Sequence, residues 1–187
     1  MINKLAILGG TPVFDARELK MYDPIGKEEK DAANRVLESK NLSGYLASWG
    51  DGFLGGPEVK NFESKWSKLV NSKFSVSINS NTSGLIAAIG AAGVSPGDEV
   101  IVPPITMSAT AAAPLFYGGI PRFVDIECDN FCLDLDLVKE NINSKTKAIL
   151  VVNIFGQPAR LHELRALADE NNLILIEDTC ESLGTKY

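Results

Sequence analysis

Two short stretches of this 187-residue chain carry residue types suited to chemistry. In one, Leu173-Ile174-Leu175-Ile176 runs straight into Glu177-Asp178-Thr179-Cys180-Glu181-Ser182, so an apolar strand delivers a carboxylate, Asp178, to its own C-terminal tip. An uninterrupted apolar run bounded by polar residues reads as a strand buried on both faces, and ligands of open α/β sheets bind beyond the carboxyl ends of such strands. In the other, Asn79-Ser80-Asn81-Thr82-Ser83-Gly84 lies between an expected strand and its helix. Free backbone N–H groups and the helix dipole make an anion site there, and small or hydroxylic residues let a phosphate come close. Each stretch alone has an ordinary alternative. Ser, Thr and Asn cap helices with or without a ligand, and a carboxylate at a strand end caps a loop or pairs with a cation.

The elements that must position these residues follow from the pattern. Phe74 to Ile78, Glu99 to Val102, Pro121 to Val124, Ala148 to Val152 and Leu173 to Ile176 read as strands. Thr82 to Ala92, Ser108 to Tyr117, Leu135 to Asn141 and Leu161 to Glu170 read as the helices between them, with Pro96-Gly97-Asp98 and Gly118-Gly119 marking the joins. Such alternation predicts an α/β fold: a mainly parallel sheet with helices on both faces. On it, the phosphate turn and Asp178 share the carboxyl edge and face one crevice. That pairing suits pyridoxal 5′-phosphate (PLP), whose phosphate needs an anchor and whose pyridine nitrogen needs a carboxylate to keep it protonated.

Residues 1–55 read as an N-terminal arm with one helix, Lys27 to Ser39, striped by Ala32, Ala33, Val36 and Leu37. The stretch Leu42 to Gly56 interleaves five glycines with Tyr45, Trp49 and Phe53, which suits either a flexible surface loop or a binding loop whose aromatics pack on a partner or ligand. Pro57 then opens a helix carrying Val59, Phe62, Trp66, Leu69 and Val70. The chain is 45% hydrophobic, enough for one sizeable core, and its net charge of −6 with scattered Lys and Arg suggests neither a nucleic-acid nor a membrane partner. Three cysteines without paired spacing read as reduced cytosolic thiols, and neither a signal peptide nor an apolar run of spanning length is present in the sequence, so a cytoplasmic protein is expected.

Taken in order, Pro96-Gly97-Asp98-Glu99-Val100-Ile101-Val102-Pro103, Phe123-Val124-Asp125-Ile126, Thr146-Lys147-Ala148-Ile149, Phe155-Gly156-Gln157-Pro158 and Ile176-Glu177-Asp178 resemble the PLP-dependent sugar aminotransferases of the DegT/DnrJ/EryC1/StrS family. The likeness runs from about Gly26 to Tyr187. It implies an aspartate-aminotransferase-like (fold type I) PLP large domain over residues 56–187, a homodimer with active sites at the subunit boundary, and amino transfer from an amino-acid donor, usually glutamate, to a nucleotide-linked keto sugar. By the same resemblance, Asp178 pairs with the pyridine nitrogen, while Asn81, Thr82 and Ser83 form the phosphate-binding turn, with Asn81 where the family usually has glycine. Met107 stands where an aromatic ring commonly covers the cofactor, Glu181 where a glutamine often donates toward the ring oxygen, and Asn153 where relatives often carry histidine, at the pocket wall. An ionised glutamate only accepts, so either Glu181 or the ring oxygen would carry a proton.

The family's catalytic lysine, which holds the cofactor as a Schiff base, lies shortly beyond the aspartate motif, and no lysine of this sequence takes its place. Lys145, Lys147 and Lys186 read as solvated. The expectation is a partial large domain without the C-terminal small domain. Two alternatives stand beside the aminotransferase: a deoxysugar dehydratase of the same family, in which histidine replaces that lysine, and a noncatalytic interaction fragment. Other candidates yield to ordinary roles. His162 reads as a surface residue, Cys180 as a small packing residue, and the acids Asp125, Glu127, Asp129, Asp134 and Asp136 as caps and solvated groups without metal-ligand spacing.

Overall fold

The computed structural model describes residues 4–14, 22–45 and 48–187, so the expected arm is described in part, and Leu46 and Ala47 of its glycine-rich stretch lie outside the described residues. The chain divides into two compact units, residues 1–76 and 77–187.

In the first unit, helix α1 (Lys27–Glu38) opens where the Gly26 N–H donates to Glu29 Oε2 at 2.7 Å, and α2 (Pro57–Leu69) opens on proline, whose missing N–H is no loss at a first helical position. Neither helix buries a residue. Between them, Trp49 and Phe53 stack on each other with ring centroids 4.1 Å apart. Gly44 and Gly56 bring their backbones together so closely that a Cβ on Gly44 would lie 2.3 Å from the Gly56 Cα, which only glycine permits.

The second unit is a parallel α/β layer structure. Its helices are α3 (Asn81–Ala91), α4 (Ser108–Leu115), α5 (Leu135–Asn141) and α6 (Leu161–Glu170), and its strands are β1 (Glu99–Val102), β2 (Ile120–Phe123), β3 (Thr146–Val152) and β4 (Ile174–Asp178). The strand order is β2-β1-β3-β4, and every pairing is parallel. Alternation along the two central strands splits the core. Ile101, Ile149 and Val151 pack with Val138 of α5 and Leu164, Leu167 and Ala168 of α6. Val100, Val102, Ala148, Leu150 and Val152 pack on the opposite face with Leu85 and Ile89 of α3 and Ala113 of α4. Burying each such Leu, Ile or Val contributes roughly 1.5–3 kcal/mol, and β3, with Ala148 to Val151 fully buried, lies at the centre of both clusters.

Two expectations need correction. Phe74 to Ile78 is not a strand in the structure, and Phe74, Val76 and Ile78 are 78%, 81% and 48% exposed. A strand needs a ladder partner as well as alternating apolar residues. The apolar run at β4 is buried only in part, with Ile174 46% exposed, because β4 is an outer strand of the sheet. Among the described residues, no helix is long and apolar enough to cross a membrane.

Candidate functional site

The carboxyl ends of β1, β3 and β4 and the N-terminus of α3 surround one cleft of about 120 Å³, partly open to solvent. Helix α3 contributes Asn81, Thr82 and Leu85; the segment around the start of α4 contributes Thr106, Met107 and Ala109; β3 and its exit contribute Val152 and Ile154; and the end of β4 contributes Asp178, Cys180 and Glu181. Leu85, Val152 and Ile154 give it an apolar wall with polar groups at the rim.

Asp178 reaches the cleft because β4 pairs with β3 in a register that sets it beside Val152, and the residue is only 7% exposed. Its Oδ1 accepts two N–H groups, from Asn81 Nδ2 at 3.0 Å and from the Cys180 backbone at 3.1 Å. The turn expected at the helix start is capped by Ser80, whose hydroxyl accepts from the Ser83 N–H at 3.3 Å. Ser83 is thereby engaged with Ser80 and does not line the cleft, whereas Asn81 and Thr82 do. The backbone N–H groups of Asn81 and Thr82 have no acceptor among the described residues, so they and the positive end of the α3 dipole remain available to an anion.

Met107 precedes α4 and is 72% exposed at the rim. Glu181 Oε2 accepts the Phe155 N–H at 3.1 Å, which holds the carboxylate at the mouth. The Cys180 thiol is pushed up to about 11, first by desolvation, then by its hydrogen bond to Asp178 and by the charges of Asp178 and Glu181. A protonated, inert thiol therefore sits beside the carboxylate.

Asn153 stands away from this lining. It is 2% exposed; its Nδ2 donates to Glu177 Oε1 at 2.6 Å and its Oδ1 accepts the Ala159 N–H at 2.9 Å, so it builds the turn after β3. His162, on α6, packs edge-on against Tyr187 and also lies outside the cleft. The sequence reading missed Thr106, whose hydroxyl lies 2.7 Å from that of buried Thr110. Its position just after β1, on the carboxyl edge, is the signal that would have found it.

Chemically, the cleft offers anion-binding N–H groups at one end, an immobilised carboxylate near them, and an apolar wall between. An elongated ligand with a phosphate tail and a cationic ring nitrogen meets that distribution of donors and acceptors.

The chain matches the DegT/DnrJ/EryC1/StrS aminotransferase family over residues 25–187. It is 37% identical over 168 residues to GDP-perosamine synthase of Vibrio cholerae, a match that covers 89% of this chain and 43% of that protein. Among solved structures, S. venezuelae DesV in complex with a ketimine intermediate aligns with a TM-score of 0.75 at 35% identity, over 84% of this chain and 40% of that one. E. coli GDP-4-keto-6-deoxy-D-mannose-3-dehydratase with bound hydrated PLP aligns with a TM-score of 0.77 at 30% identity, over 89% and 41%. This chain spans about two fifths of the length of these relatives. Its parallel sheet with helices on both faces is the fold type I arrangement of those enzymes, and by this match the chain belongs to the DegT/DnrJ/EryC1/StrS aminotransferase family.

Proposed function

We propose that this chain forms the coenzyme-anchoring part of a PLP-dependent aminotransferase that passes an amino group from an amino-acid donor to a nucleotide-linked keto sugar. In this reading it works in the cytoplasm as a homodimer, residues 1–55 form the arm, and residues 56–187 form part of the PLP-binding large domain. The observation that carries the proposal is the shared cleft: the start of α3 and Asp178, 97 residues apart in sequence, approach within one hydrogen bond.

Bound PLP would supply an electron sink for chemistry at an amino-acid α-carbon. The chain's residues would do the holding. The Asn81 and Thr82 N–H groups, reinforced by the α3 dipole, would take the phosphate, as helix N-termini do for anions generally. Asp178 would hold the proton on the ring nitrogen, Met107 would cover the ring from the rim, and Glu181 would face its oxygen substituent. Ser83 supports the turn through Ser80. Among the described residues, no lysine lines the cleft.

The 30% identity to the E. coli dehydratase supports a second reading, loss of water from a deoxysugar in place of amination. Product analysis of a nucleotide-linked keto sugar separates the two. The anchoring role is tested by titrating the full chain with pyridoxamine 5′-phosphate, chosen because it lacks the aldehyde that would label exposed lysines. Saturable binding, weakened at least about tenfold in Asp178→Ala, is the expected result, since a hydrogen bond to a charged group is worth roughly 1.5–3 kcal/mol. A chain that takes up none of it has no such site.

A further inference from the structure

We infer that Asn81 is a positioning residue for Asp178, an inference that rests on the anchoring role proposed above. Asn81 occupies the first turn of α3, at the end of the cleft assigned to phosphate, and its side chain is engaged with Asp178, which lines the same cleft. Nδ2 donates to Asp178 Oδ1 at 3.0 Å, and the Cys180 N–H donates to the same oxygen at 3.1 Å. Two donors converging on one carboxylate oxygen from different elements fix the plane of the group. Oδ2 is then the oxygen with no N–H donor among the described residues, and a ring nitrogen that takes it does so beside the Cys180 thiol, which also hydrogen-bonds this carboxylate. The Asn81 amide thereby couples the two ends of the cleft: the helix that grips the tail also orients the acid that meets the ring. Glycine at this position could supply the backbone N–H but not the second contact. The other end of the amide, Oδ1, lies toward Gly84, 3.4 Å from where a Cβ on that residue would stand.

A role exerted through Asp178 differs measurably from one exerted through the phosphate. Two probes suffice: pyridoxamine 5′-phosphate and its analogue with carbon in place of the ring nitrogen. The wild-type chain should prefer the nitrogen-containing probe. Asn81→Ala should lower that preference by about fivefold to tenfold while leaving the affinity for the carbon analogue nearly unchanged. In an Asp178→Ala background the same substitution should leave the preference where it stands, as expected for a coupled pair. Asn81→Ser, whose side chain is too short to reach Asp178, should repeat the effect if the alanine variant is not folded by circular dichroism. Equal weakening of both probes by Asn81→Ala would overturn the inference and leave the anchoring role intact. Failure of the wild-type chain to bind either probe would overturn both.

Discussion

Asn153 and Glu177 clasp the ends of β3 and β4 together: Asn153 Nδ2 donates to Glu177 Oε1 at 2.6 Å, and the Asn153 N–H donates to the Asp178 carbonyl at 2.9 Å. The same amide accepts from the buried Ala159 N–H. One residue therefore ties the carboxyl edge of the sheet to the turn behind it.

Asn153→Ala should destabilise the chain by about 2 kcal/mol, because the Ala159 N–H would be left buried without its acceptor. Urea unfolding checks this. Asn153→Asp keeps an acceptor for Ala159 but sets a second carboxylate against Glu177 in place of a donor, so it too should destabilise at neutral pH, and that loss should shrink as the pH falls and the pair takes up a proton.

Gly90→Ala should destabilise, although alanine is the better helix former by about 1 kcal/mol. Gly90 lies within α3, and a Cβ there would meet Tyr117 Oη at 2.3 Å and Cζ at 2.6 Å, so the ring must move out of its packing on the α3–α4 side of the core. An overpacking cost of about 1–3 kcal/mol outweighs the propensity gain. A lower denaturation midpoint with an unchanged slope is the expected outcome, and a raised midpoint would show that the ring yields freely.

Local chemistry made part of this fold legible. Leu135 to Asn141 was readable to the residue because Asp134 is a strong N-cap, and its Oδ1 indeed accepts from the N–H groups of Asp136 and Leu137. Leu161 to Glu170 was readable from its apolar stripe. Phe74 to Ile78 was not, because its alternation matches a strand, but a strand also needs a ladder and a covered face, and these apolar side chains stand exposed. At the cleft, the chemistry of Asp178 and the helix start was visible in sequence. Their contact was not, since nothing in the types Asn and Asp says that residues 97 positions apart will meet. Asn153 shows the same limit: its partners follow from the β3–β4 register, which turns an expected pocket residue into a structural clasp.

Glu181→Gln should alter how a bound pyridoxamine phosphate absorbs light. Glu181 Oε2 already accepts from the Phe155 N–H, a role the glutamine carbonyl can keep while its NH₂ turns into the cleft. A carboxylate favours a protonated ring oxygen, whereas an amide donor favours the ionised one. The pH at which the bound spectrum changes should therefore fall in the variant, and identical spectra across the pH range would place Glu181 out of contact with the ring.

Cys180 should resist alkylation despite its exposure. With its thiol raised from 9.0 to about 11 by desolvation, by the hydrogen bond to Asp178 and by the charges of Asp178 and Glu181, about one molecule in a thousand carries the thiolate at pH 8. Iodoacetamide, followed by peptide mass spectrometry, should modify it slowly at pH 8 and progressively faster toward pH 11. The folded chain holds this proton more tightly than the unfolded one, so the associated stabilisation is fully present below about pH 9 and is lost as the pH rises through 11. Asp178→Asn removes both the charge and the carboxylate acceptor, and should speed alkylation at pH 8 by about tenfold, whereas Glu181→Gln, which removes only the smallest of the four contributions, should do less. If Asp178→Asn left the rate unchanged, the thiol would owe its inertness to burial and the Glu181 charge, and the Asp178 carboxylate would not be turned toward Cys180 in solution.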